Sequence, residues 1–151
     1  MPINSQVEER LRKAYSGAIA KDPDAVAGAL DGISKEDTAS LITMGLYVSG
    51  FVANDIYRDG PTDEDFRELA SKISEKESDW IDLDRASVAE FLKVAVTGDV
   101  TLGGLGGEDV TGLAVVCGAH LLSYYRLDDQ RWYQYLDEIW DSYEQITSDK
   151  A

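Results

Sequence analysis

At 151 residues, with 44% hydrophobic side chains, the chain has the size and apolar content of one globular domain and is too hydrophobic to be disordered. Its 29 acidic against 14 basic residues give a formal net charge of -15, which argues against direct binding to nucleic acid or an anionic membrane, because both rely on Lys and Arg to displace counterions. A single cysteine, Cys117, excludes an internal disulfide, and with no basic segment leading into an apolar one at the start, the expected compartment is the cytoplasm.

Apolar residues recur at helical spacing and strict alternation is nearly absent, so the reading is all-α: a single acidic domain over residues 1–151 with six to seven helices. The first helix is expected from about Ser5 to Ala20, with Val7, Leu11, Ala14, Tyr15 and Ala18 inward. Asp22 followed by Pro23 reads as N-cap and first helical position of a short helix that Gly32 closes. Ser34 with Asp37 is a variant capping box opening a long helix to about Tyr57, apolar nearly all round and carrying Gly45, Ser49 and Ala53 on one face. Its longest nearly apolar run, Leu41 to Ala53, is short of the roughly 20 residues a bilayer requires, so it is expected at the centre of the core.

Thr62 with Asp65 repeats the capping pattern before Phe66, Leu69 and Ile73, and Asp84 caps the next helix, which ends at Gly98. Gly98 to Gly107 holds five glycines in ten residues and reads as a connector, with a mobile lid as the functional alternative. A phosphate loop does not fit, since Glu108 and Asp109 follow it and no Lys does. From Asp109 to about Arg126 a second mainly apolar helix carries Ala114 and Gly118 as its small stripe. The last helix is expected from about Asp128 to Ile146, with Trp132, Leu136, Ile139, Tyr143 and Ile146 buried. Glu36-Asp37 with Leu41 and Glu108-Asp109 with Leu113 leave open a degenerate duplication of a helical hairpin.

Three places invite a functional reading. Asp59 to Asp65 superficially suggests a calcium loop, but Pro61 stands at a ligand position and Ala70 where the closing Glu belongs, leaving a turn and a helix cap. Cys117 and His120 share a helix face, with Tyr124 one turn further on, which outlines a small-molecule pocket between the two apolar helices, gated by the Gly98–Gly107 loop. The plainer account of that trio is a buried thiol and a hydrogen-bonded histidine, and with no second Cys or His there is no metal-ligand set. No cofactor motif is present.

The third place is the aromatic last quarter, where seven aromatic residues lie between Tyr124 and Tyr143 among acids. At about 100° per residue, Tyr133 and Trp140 project at one edge of the apolar stripe, beside Asp137 and Glu144. Residues 61–100 hold eleven acids and five bases, and residues 101–151 nine and three, so the charge excess is concentrated there. The leading expectation is a non-enzymatic interaction module that offers Tyr133, Asp137, Trp140 and Glu144 to a basic protein partner, in the manner of small acidic helical proteins that neutralise basic ones. The alternatives are the pocket around His120, as a binding module or an enzyme, and a charge that serves solubility alone.

Overall fold

Side-chain caps set where the first five helices begin. Asn4 accepts from the amides of Gln6 and Val7, Asp22 from those of Asp24 and Ala25, Ser34 from that of Asp37, and Asp84 from that of Ser87. Thr62 and Asp65 close a reciprocal capping box at 2.9 and 3.2 Å. Each such cap stabilises its helix by about 1 kcal/mol. The computed structural model describes residues 4–58, 60–98, 107–125 and 130–149. They form α1 (Ser5–Ile19), α2 (Pro23–Leu30), α3 (Lys35–Ile56), α4 (Asp63–Glu77), α5 (Arg85–Thr97), α6 (Gly107–Tyr124) and α7 (Trp132–Asp149), with no strand among the described residues.

α6 is the axis of the domain. Every residue from Leu113 to Leu122 is buried, enclosed by α1, α3, α5 and α7. α3, expected to be equally enclosed, is not: Met44, Leu46, Tyr47 and Phe51 are only partly buried, and α7 covers Tyr47 and Phe51 through edge-on contacts from Tyr143 at 4.9 Å and Tyr135 at 6.5 Å. The helix extends to 22 residues, long and apolar enough on composition to cross a membrane. Here Leu41, Val48, Val52 and Ala53 are fully buried in contacts with α1, α5 and α6.

The two small-residue stripes meet in part. A Cβ on Gly45 would stand 2.8 Å from that of Ala114, so α3 and α6 cross closely there. Gly118 serves a different neighbour: its missing side chain leaves room for the ring of Tyr15 from α1, whose carbons would lie 2.8 Å from a Cβ. The suspected hairpin repeat does not keep its packing, since α4 lies chiefly on α5 whereas α7 lies on α6 and α3.

Gly98 ends α5 in the left-handed region at φ 73°, its amide bonded to the Val94 carbonyl. The glycine-rich connector beyond it falls in residues 99–106, outside the described residues, and so do Asp59 and the start at Asp128 expected for the last helix.

Candidate functional site

Two surfaces follow from this packing, and residues singled out in the sequence lie on each. On α7 the four residues grouped as a partner-binding face are divided between surface and core. Tyr133 is 41% exposed, and Asp137 and Glu144 are exposed as well, but Trp140 is only 6% exposed. α7 lies across α6 and α3 and reaches α1, so the stripe it buries is wider than its apolar residues alone imply. Trp140 is drawn inside, where its indole Nε1 donates to Glu8 Oε1 at 3.1 Å. Glu8 also pairs with Arg12, which reaches Asp137 at 2.8 Å. Trp140 is therefore a structural tie between α7 and α1 and is corrected from contact residue to core. The exposed side of α7 carries Asp137, Glu138, Asp141 and Glu144 in its place.

The second surface is a corner where α1 turns into α2 beside the end of α4 and the last turns of α6. A pocket of about 210 Å³ opens there, lined by Ala18, Ile19, Lys21, Glu77, Ala119, His120, Ser123 and Tyr124. His120 Nδ1 meets Glu77 Oε2 at 2.8 Å, with both side chains almost entirely buried. Trp80 Nε1 donates to the other carboxylate oxygen at 2.7 Å. Burial raises the Glu77 carboxyl, but the bonds from His120 and Trp80 outweigh it, with the nearby charges of His120 and Lys21 acting the same way, and hold the group below the usual carboxylate range. An ionised carboxylate only accepts, so Nδ1 carries the proton of this bond.

Tyr124 stacks on the imidazole at a centroid distance of 4.4 Å and is 52% exposed, forming the rim. Lys21, held at φ 57°, closes the opposite side. Its ammonium bonds both oxygens of Asp79 at 2.9 Å and the Lys76 carbonyl at 3.3 Å.

Comparison with protein-family models, curated proteins and solved structures finds no match to this chain. The reading therefore rests on the chemistry of the two surfaces. Of the trio foreseen for a pocket, His120 and Tyr124 line it and Cys117 does not. The Cys117 thiol is fully buried, and that burial, reinforced by the charge of Glu77, pushes it up to about 12. It stays protonated and unreactive at neutral pH. The pocket also lies on the α1 and α4 side of α6, not between α3 and α6, where Gly45 and Ala114 leave no room. Among the described residues no three His, Cys, Asp or Glu side chains are gathered for a metal.

Sequence reasoning missed Glu77, Trp80 and Lys21. A signal was present for the first: Phe66, Leu69, Ala70, Ile73 and Ser74 define the buried stripe of α4, and Glu77 continues it at the same spacing. A carboxylate placed on a core stripe needs a buried donor, and the lone histidine of the chain supplies one.

Proposed function

We propose that the protein is a non-enzymatic interaction module whose outer α7 face receives a basic protein partner. The arrangement of charge on α7 carries this reading. Asp137, Glu138, Asp141 and Glu144 are exposed on a helix that contains no Lys or Arg. Spacings of three and four residues set like charges side by side, each such pair costing the free helix about 0.2–0.5 kcal/mol. No acid lies in the first turn, where the helix dipole would favour it. Asp137 is tied to Arg12 of α1, and a cationic surface laid along the rest of the row relieves the repulsion that α7 itself does not offset. The net charge of -15 steers such a partner, and the exposed ring of Tyr133 supplies an aromatic anchor at one end of the row.

The test compares two reversals of equal charge. Asp141→Lys with Glu144→Lys alters α7, whereas Glu64→Lys with Glu68→Lys alters the exposed face of α4 by the same amount. Proteins are captured from extract at roughly 0.05 and 0.3 M salt, spanning weak and strong screening, and the basic ones are quantified. Basic proteins held by the wild type and the α4 variant are expected to fall at least tenfold with the α7 variant. Equal losses from both variants would reduce the interaction to bulk charge, and equal retention would remove the α7 face from it.

A further inference from the structure

The acid row on α7 already holds one cation, and that cation belongs to the chain itself. Arg12 Nη2 donates to Asp137 Oδ1 at 2.8 Å, across the seam between α1 and α7. The same nitrogen lies 2.6 Å from Glu8 Oε1, to which Arg12 Nε also donates at 2.8 Å. Arg12 is thus held twice by Glu8 and once by Asp137. A guanidinium stays charged and presents its donors in a planar fork, so the two carboxylates frame a seat for a guanidinium, occupied from within.

The two contacts of Arg12 differ in what their loss leaves behind. Glu8 precedes Arg12 by four residues on α1, the favourable order for an acid and a base on one helix. Asp137 is the outlying partner, its side chain 61% exposed and that of Arg12 32% exposed. An ion pair so open to water contributes little to stability. α7 stays docked without it, because Trp140 bonds Glu8 at 3.1 Å and Tyr135 bonds Asp55 at 3.0 Å. Giving up Asp137 therefore leaves Arg12 paired and α7 in place. Asp141, one turn beyond Asp137, is exposed and has no such partner among the described residues.

We propose that Arg12 is an internal competitor for the α7 face: it occupies at Asp137 the seat that a guanidinium of the basic partner takes on docking, and it is then displaced onto Glu8. The inference rests on the reading of α7 as a partner-binding face. It adds the group recognised, an arginine side chain, and a residue that sets how tightly that group is held. Because the displaced pair is exposed, Arg12 moderates the affinity without closing the face.

The probe is an alanine-based helical peptide with arginines spaced four and three residues apart, as are Asp137, Asp141 and Glu144. Its affinity for the intact protein is measured by calorimetry at roughly 0.05 M salt, where screening is weak. Arg12→Gln is expected to tighten binding about two- to fivefold, the range that an exposed ion pair accounts for. Lys13→Gln, which removes the same charge from a pair within α1, is expected to do clearly less. The gain from Arg12→Gln is expected to vanish in an Asp137→Asn background. With Arg12 left in place, Asp137→Asn is expected to weaken binding less than Asp141→Asn, since the charge of Asp137 is already met. The same peptide with lysines is expected to bind more weakly. Equal gains from Arg12→Gln and Lys13→Gln, a gain that survives Asp137→Asn, or equal losses from Asp137→Asn and Asp141→Asn would each overturn the competitor role. Equal binding of the lysine peptide would overturn the guanidinium assignment. If Asp141→Lys with Glu144→Lys abolishes peptide binding while the Arg12 variant behaves like Lys13→Gln, only this inference fails. If that reversal leaves binding unchanged, the α7 face itself fails, and this inference with it.

Discussion

Glu77 and His120 form a buried acid and imidazole pair on two helices that approach at their C-terminal ends, and the indole of Trp80 completes the coordination of the carboxylate. Breaking such a pair from one side leaves the other charge buried and unmatched, which typically costs 3–5 kcal/mol. His120→Ala is therefore expected to lower the urea midpoint by about that much free energy, whereas Glu77→Gln, which removes the charge and still accepts from Trp80, is expected to cost clearly less. The same carboxylate sets a pH dependence. Because its folded value lies below the unfolded one, its contribution to stability is complete above the ordinary carboxylate range and is lost as pH falls through the depressed value. Unfolding free energy followed from about pH 7 to pH 3 should drop less steeply in Glu77→Gln than in the wild type. Parallel curves would show that other carboxylates dominate the acid limb.

Between the elements, the glycines of α6 show which of its contacts are tight. Gly118 lies against the fully buried ring of Tyr15, so a methyl group there must displace an enclosed aromatic, whereas a Cβ on Gly112 meets nothing within 4 Å. Gly112→Ala is expected to stabilise the protein by up to about 1 kcal/mol through helix propensity alone. Gly118→Ala is expected to destabilise it by about 1–3 kcal/mol despite the same propensity gain. A Gly118→Ala protein that melts above the wild type would show that Tyr15 yields easily. The caps of α2 to α5 and the apolar stripes of α1 and α4 were legible in the sequence because they are local: Asp22, Ser34, Thr62 and Asp84 each act on an amide two or three residues away. The placement of Trp140 was not, because a wheel drawn for α7 alone does not include Glu8 on α1. The Glu77 and His120 pair joins residues 43 positions apart, a separation that no local pattern encodes.

For the molecule as a whole, a charge of -15 on one small domain is a self-repulsion that the folded state concentrates and the unfolded chain dilutes. Few bases are available to offset it, and two of the pairs, Lys13 with Glu9 and Lys93 with Asp63, lie at exposed positions where the net gain is small. Raising the ionic strength from about 0.01 to 0.15 M shortens the screening length from about 30 to 8 Å, and the melting temperature is expected to rise by several degrees. No change would mean that the charges are already balanced locally. The tie between α7 and α1 also bears on how the chain reaches this state. Trp140 bonds a carboxylate 132 positions earlier and Asp137 an arginine 125 positions earlier, so these contacts close loops that take in most of the chain. Their loop-closure cost predicts that they form after the local helical contacts, so that Trp140→Phe is expected to speed unfolding more than it slows refolding. On that order of events the α1 side of the core is the last to be covered.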